Sequence, residues 1–198
     1  MSTTPKTTSY LKRMPCTRTA EDDPYLVVLE VKDTKGEPAK HAVIDAWHAN
    51  GTGGYYFFSW TLRGKMTTDA SGRLELLTVR PGGYAGRASH IHIRIYPAES
   101  RRHRQMTSQM YMCDGNDPVH MSSDIANKWR RRPDGNMVTC WATGAPEDGK
   151  AYHGLPKLPE EDVDMVDAIN RWNAKLQEQG VTKKIMSVGR HQVKITAY

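Results

Sequence analysis

Residues 25–31, Tyr-Leu-Val-Val-Leu-Glu-Val, form an almost unbroken apolar run flanked by polar residues, the pattern of a buried strand. A turn carrying Gly36 and Pro38 separates it from 42–47, Ala-Val-Ile-Asp-Ala-Trp, which predicts the next strand. Residues 74–79, Leu-Glu-Leu-Leu-Thr-Val, predict another behind a turn at 69–72. At 90–95 the alternation is strict. Successive strand side chains point to opposite sides, so His90, His92 and Arg94 share one face and Ile91, Ile93 and Ile95 the other. The isoleucine face is assigned to the core. Over 160–179 the period becomes helical, with Val163, Val166, Ile169, Trp172 and Leu176 near one stripe, acidic residues at its start and Gly180 placed to end it. Residues 184–198 return to alternation and are expected to close the sheet. Short strands between turn signals predict an all-β fold, an antiparallel β-sandwich with one helix in the C-terminal region and long loops with a few short strands over 97–158. The polar stretch 1–23, with Pro5 and Pro15, reads as an N-terminal arm, disordered or lying across a partner subunit, ahead of a single domain over 24–198.

Composition narrows the class without naming a chemistry. A chain of 198 residues, 38% apolar and 25% charged, is the size and make-up of one soluble domain with a substantial core. Its first twenty residues hold no apolar run of leader length and nothing later approaches a membrane span, so the expected location is cytoplasmic, with no membrane partner. Cys16, Cys113 and Cys140 are scattered and odd in number, and are read as free thiols. The net charge of +6 raises nucleic acid as a partner, with basic clusters at 101–104 and 128–132. Those clusters are short and lack interleaved aromatic platforms, so no nucleic-acid role is expected. They read as solvated surface, or as charge that steers an anionic substrate.

Two glycine-rich turns carry the candidate chemistry. Trp47-His-Ala-Asn-Gly-Thr-Gly-Gly-Tyr55 leaves one strand, and Arg80-Pro-Gly-Gly-Tyr84 leads toward His90 and His92. Strand residues two apart stand roughly 7 Å from each other, a gap that two imidazoles can close onto one metal ion. Imidazole alone suits zinc, copper, nickel or iron. The tyrosines favour one of these, because a phenol with a solution pKa near 10 binds at neutral pH only when a strong Lewis acid takes its proton. Ferric iron fits: two phenolates and a hydroxide cancel its charge and leave a centre that tolerates partial burial.

This set resembles the intradiol ring-cleavage dioxygenases, a family that holds non-haem Fe(III) with two tyrosines and two histidines. Leu62-Arg-Gly64, Thr68-Asp69, Gly72, Thr78-Val-Arg-Pro-Gly-Gly-Tyr84 and Gly86-Arg87-Ala-Ser-His90-Ile-His92 follow the Tyr55 turn in the family's order. The resemblance is specific over about 24–95. It implies Tyr55 as the axial ligand, Tyr84 as the equatorial tyrosine, His90 and His92 as the histidine ligands, and Arg87 beside the open coordination position. Tyr56 directly follows Tyr55, and the sequence leaves either phenol of that pair as the axial ligand. The implied reaction is cleavage of a catechol by O2 to a cis,cis-muconate-type diacid, with Tyr55 leaving the iron and Arg87 stabilising negative charge. A homo-oligomer is the family's habit. The substrate's substituents stay open, because loops within 97–158 would read them.

Each residue alone has an ordinary reading: His90 and His92 as polar residues on a solvated face, Tyr84, Tyr55 and Tyr56 as packing aromatics, Arg87 as surface charge. The conjunction of two glycine turns ending in tyrosine with His-x-His behind the second favours the metal. His48 beside Trp47 reads as a packing residue or as a support behind the ligands. The alternatives are a non-catalytic relative that uses the pocket for binding or assembly, and a zinc hydrolase. The hydrolase lacks a good third ligand and a carboxylate base better placed than Glu75.

Overall fold

β2 (Pro24–Lys32) is buried along most of its length on both faces, which is why its sequence reads as a continuous apolar run rather than an alternating one. In the computed structural model, which describes residues 8–10, 23–56, 61–98, 105–112, 123–126, 136–144 and 152–195, it belongs to a nine-stranded sheet. The other strands are β1 (Thr8–Tyr10), β3 (Val43–His48), β4 (Arg63–Thr67), β5 (Arg73–Val79), β6 (His90–Tyr96), β7 (Met106–Met112), β8 (Met137–Ala142) and β9 (Ser187–Lys194). One helix, α1 (Val163–Glu178), precedes β9. The spatial order is β1-β5-β2-β9-β8-β7-β6-β3-β4.

Strands far apart in that order share one core. Tyr25, Val27, Leu29 and Val31 of β2 pack in the same cluster as Ile91, Ile93 and Ile95 of β6, with Leu74, Met110 and Val138 between them. The sheet therefore folds over onto itself, and the isoleucine face of β6 lies inside as the alternation predicts. The other face of β2 sends Leu26 and Val28 against α1, where Met165, Ala168, Ile169, Trp172 and Leu176 are buried.

The all-β expectation with one helix near the C-terminus holds. Three details differ. Parallel pairs occur at β1·β5, β2·β9 and β7·β8 within the otherwise antiparallel sheet. Strand β4 stands where no strand is expected, whereas β7 and β8 fall within 97–158, where a few short strands are. On α1 the buried stripe turns toward Met165 and Ala168, leaving Val163, the first helical residue after the Asp162 cap, 63% exposed. Gly180 takes φ +75° just past the helix, and Gly180 N and Val181 N donate to Gln177 O and Leu176 O, closing α1 as its glycine predicts. Both basic clusters, Cys16, Cys113 and most of 1–23 lie outside the described residues. Cys140 is buried and free, and its sulfur is 3.3 Å from Tyr25 Oη. No helix among the described residues is long and apolar enough to cross a membrane.

Glu75, the carboxylate weighed as a hydrolase base, pins α1 to the sheet instead. It is 3% exposed and accepts from Arg171 Nη2 at 2.8 Å and Trp172 Nε1 at 2.9 Å, with Arg73 Nη1 2.8 Å away. Glu75→Gln keeps the shape but turns an amide NH2 toward these donors, so unfolding stability should drop by about 1–3 kcal/mol in a denaturant titration.

Candidate metal centre

The two glycine turns are packed backbone to backbone, and this places their tyrosines together. A Cβ at Gly53, which sits at φ +84°, would lie 2.5 Å from Gly83 O, and one at Gly82 would collide with the Gly51 carbonyl. Gly82 N donates to Asn50 O at 2.9 Å, while Asn50 Oδ1 accepts from Gly54 N at 2.7 Å and from Thr52 N at 3.2 Å. Beyond Tyr84 the chain reverses through Ala85 (φ 46°) and Gly86 (φ 75°), with reciprocal bonds from Tyr84 N to Arg87 O and Arg87 N to Tyr84 O. Tyr84 and Arg87 thus form a directly opposed pair, whose side chains share a face.

Four side chains converge. Tyr55 Oη is 3.1 Å from Tyr84 Oη, Tyr84 Oη is 3.3 Å from His90 Nε2, and His90 Nε2 is 3.1 Å from His92 Nε2. Tyr56, by contrast, is 37% exposed and makes no contact of this kind among the described residues. The geometry thus separates the adjacent phenols, bringing Tyr55 into the cluster. Beside them opens a cleft of about 480 Å³, lined in part by Trp47, Tyr55, Tyr56, Arg63, Tyr84 and His92, large enough for a small aromatic ring. A hollow of about 660 Å³ at the end of α1, lined by Asn170, Asn173, Gln177 and Lys183 among others, has no comparable convergence of donors.

The imidazoles are held from behind. His90 Nδ1 is 2.6 Å from Ala88 O, which fixes its proton there and leaves the Nε2 lone pair facing the cluster. Trp47, the cross-strand neighbour of His92, stacks on its ring with centroids 4.9 Å apart and planes 1° from parallel. Gln109 Nε2 lies 3.4 Å from His92 Nδ1 on the other side. His48 is buried, with Nδ1 2.7 Å from Ala49 O and Nε2 2.7 Å from Thr78 Oγ1, the packing role its position suggests.

Arg87 is fixed at three points. Its Nε donates to both oxygens of Asp124 at 3.1 and 2.9 Å, and its Nη2 donates to Gln109 Oε1 at 2.9 Å and Tyr111 Oη at 3.3 Å. Burial works against the cation, but the hydrogen bonds to Tyr111 and Asp124 outweigh it and hold the guanidinium above its ordinary value. Burial likewise opposes the Asp124 carboxylate, and the Arg87, Ala126 and Ala88 donors more than compensate, holding it below its usual range. Sequence reasoning did not single out Gln109, Tyr111 or Asp124. Alternation along β7 gives the first two, since Gln109 and Tyr111 pair with His92 and His90 across the strands. Asp124 has no local signal: it lies 37 residues from the arginine it holds.

The donor set fits a strongly Lewis-acidic cation. Burial, then the hydrogen bond and charge of Tyr84, push the Tyr55 phenol above its ordinary 10, so its proton leaves at neutral pH only for such a cation. Burial, aided by His90, Arg87 and His48, lowers His92 to about 4, and burial also lowers His90, so both imidazoles are neutral and ready to ligate at pH 7. Among the described residues no three His, Cys, Asp or Glu side chains cluster, so a site forms only when the phenols are counted.

The depressed histidines also set a pH dependence. As pH falls from 6.5 toward 4 the unfolded chain takes up the His92 proton before the folded one does, so metal-free protein loses stability across that window. His92→Gln should flatten the decline in melting temperature between those pH values.

Comparison with known proteins resolves the family. The family model described as Dioxygenase (Dioxygenase_C) matches residues 11–152. The chain belongs to the intradiol dioxygenase family. A chlorocatechol 1,2-dioxygenase of Rhodococcus opacus is 32% identical over 41% of this chain and 40% of its own length. A protocatechuate 3,4-dioxygenase beta chain of Burkholderia cepacia is 30% identical over 36% of this chain and 37% of its own. The aligned stretch therefore spans less than half of either curated relative. Catechol 1,2-dioxygenase of Acinetobacter radioresistens superposes with a TM-score of 0.64 at 20% identity, covering 96% of this chain and 56% of that one. The dioxygenase domain of a carbohydrate-binding fusion protein from Streptomyces sp. SirexAA-E gives 0.62 at 16% identity, covering 100% and 93%. These likenesses show the shared fold. Members of this family use Fe(III).

Proposed function

We propose that this protein is an Fe(III)-dependent intradiol dioxygenase that opens the ring of a small catechol with O2 to give a cis,cis-muconate-type diacid. The observation that carries the reading is the chain of Tyr55, Tyr84, His90 and His92 donor atoms spaced at 3.1 to 3.3 Å beside an open cleft. Those four side chains would hold the ion. When bound, ferric iron supplies Lewis acidity that favours the catecholate and draws electron density from its ring.

The chain's own residues do the rest. Tyr84, His90 and His92 sit on the strand β6 and the turn before it, with His90 anchored at Ala88 and His92 stacked on Trp47, and would be the fixed ligands. Tyr55 lines the cleft and acts as the exchangeable one. Its phenol sits above the ordinary value, so at Oη it would be basic enough to take and keep a proton from a catechol hydroxyl. Arg87 presents cationic N–H donors to negative charge developing on the substrate, the electrostatic role of preorganised donors in a water-poor site. Trp47 and Tyr56 wall the cleft with aromatic surface suited to a ring.

The test is direct. Iron-loaded protein should be burgundy red, since tyrosinate-to-ferric charge transfer absorbs visible light. It should consume O2 in an electrode assay with at least one member of a panel of catechol, chlorinated, carboxylated and hydroxylated catechols, releasing a muconate-type product. A colourless iron-loaded protein, inert toward the whole panel, overturns the proposal.

A further inference from the structure

A short segment that no sequence motif marks carries the carboxylate that binds Arg87. Asp124 is fully buried, and three donors converge on its carboxylate: Arg87 Nε bonds both oxygens, Ala88 N donates to Oδ2 at 2.8 Å and Ala126 N to Oδ1 at 2.9 Å, while Tyr111 Oη, which donates to Gln109 Oε1, stands 3.4 Å from Oδ1. The guanidinium has five N–H groups. One is used by Asp124, and two on Nη2 are used by Gln109 and Tyr111. The pair on Nη1 has no partner among the described residues. Arg87 nevertheless stands beside the donor cluster: it is the directly opposed partner of Tyr84, and Gln109, which accepts from its Nη2, lies 3.4 Å from His92 Nδ1.

A long arginine side chain with free rotamers would spread those donors over many directions, at a cost in entropy each time it ordered. A carboxylate whose two oxygens share the Nε hydrogen, with Gln109 and Tyr111 accepting from Nη2, removes that freedom in advance. It also leaves the arginine pair with no net charge, so that a cationic group can stand beside a trivalent ion without repelling it strongly.

We propose that Asp124 is the positioning residue for Arg87, locking the guanidinium so that the Nη1 pair alone is offered to the anionic oxygen of the bound substrate. The inference rests on the dioxygenase reading of the site. In the test, the isosteric Asp124→Asn keeps an acceptor for Ala88 N but lacks the charge and the second oxygen that hold Arg87 Nε. In the iron-loaded protein it should lower kcat by about 10- to 100-fold with KM changed less than about threefold. Placed on Arg87→Ala, the same substitution should cost less than about threefold, because there is no longer an arginine to position. Equal losses in the two backgrounds, or full turnover in Asp124→Asn, overturn the proposal. Should Asp124→Asn not fold, Asp124→Glu carries the same cycle, with a loss of about fivefold expected only where Arg87 is present.

A second readout needs neither iron nor turnover. Arg87, 13% exposed and paired in the native protein, should resist phenylglyoxal in the metal-free chain and become labelled several-fold faster in Asp124→Asn, as mapped by mass spectrometry of the 80–94 peptide. Unchanged labelling overturns the positioning role. A wild-type protein inert toward every catechol, but showing this change in labelling, instead overturns the dioxygenase reading and leaves the Asp124 anchor standing.

Discussion

Tyr84→Phe is expected to leave the fold standing while colour, iron retention and turnover are lost together. The substitution removes one oxygen from a half-buried ring whose edge-on contact with Tyr55, centroids 5.3 Å apart, does not depend on that oxygen. Unfolding stability should therefore change by no more than about 1 kcal/mol. The effect on a bound trivalent ion is of another order. One phenolate fewer leaves a centre with net positive charge in a partly buried place, where an uncompensated charge is expensive. Even indirect supports of a metal ligand are worth about 10- to 100-fold in affinity, so a lost anionic ligand should cost at least that much. Oxygen uptake should drop below about 1% of wild type, since catalytic effects multiply the loss of bound metal. Metal analysis, the visible spectrum and the oxygen electrode report the three quantities separately. Full activity in Tyr84→Phe would remove Tyr84 from the ligand set, and a loss of activity with iron and colour intact would make it a substrate contact instead.

What could be read from the sequence follows from how local its causes are. β6 announces itself because Ile91, Ile93 and Ile95 face the core and the intervening side chains do not, so burial writes a period of two into the chain. The histidines are legible for the same reason, being the polar half of that alternation, and Tyr84 lies within one turn of them. β7 is different. Its outward side chains Gln109 and Tyr111 serve Arg87 and His92, and its inward positions are filled largely by methionine, so the apolar signal is diluted by function. β4 carries Arg63 and Lys65 over the rings of Trp47 and Tyr96, which gives it a charged rather than a β-like sequence. The parallel neighbours β2 and β9 are set by contacts between chain ends, and no window of sequence contains both. Asp124 is the extreme case: its whole meaning lies in Arg87, and only the folded chain brings the two together. The resemblance points to Tyr55 and the sequence leaves Tyr56 as an alternative; in the fold Tyr55 meets Tyr84 while Tyr56 is 37% exposed.

Arg87→Ala should separate chemistry from metal binding. The guanidinium donates to Asp124, Gln109 and Tyr111 and to none of the four converging side chains, so iron content and the burgundy band should persist. Turnover should not. Removing a preorganised donor aimed at developing negative charge costs about 100- to 1,000-fold in kcat, and KM should move far less if the donor acts mainly on that developing charge. The same substitution leaves Asp124 buried with its cationic partner gone but with Ala88 N and Ala126 N still donating. Stability at neutral pH should therefore fall by about 1–3 kcal/mol rather than by the full penalty of an isolated buried charge. Arg87 is one of the groups that hold the Asp124 carboxyl below its usual range, so without it the acid protonates more readily. The stability difference between wild type and Arg87→Ala should then shrink as pH falls through the carboxylate range, because protonation removes the uncompensated charge in the variant while wild type loses its ion pair. Adding Asp124→Asn to Arg87→Ala should recover part of the lost stability at pH 7 and none of the lost turnover. A double variant as unstable as Arg87→Ala alone, or one with turnover restored, would show that the two side chains do not act on each other in the way their geometry implies.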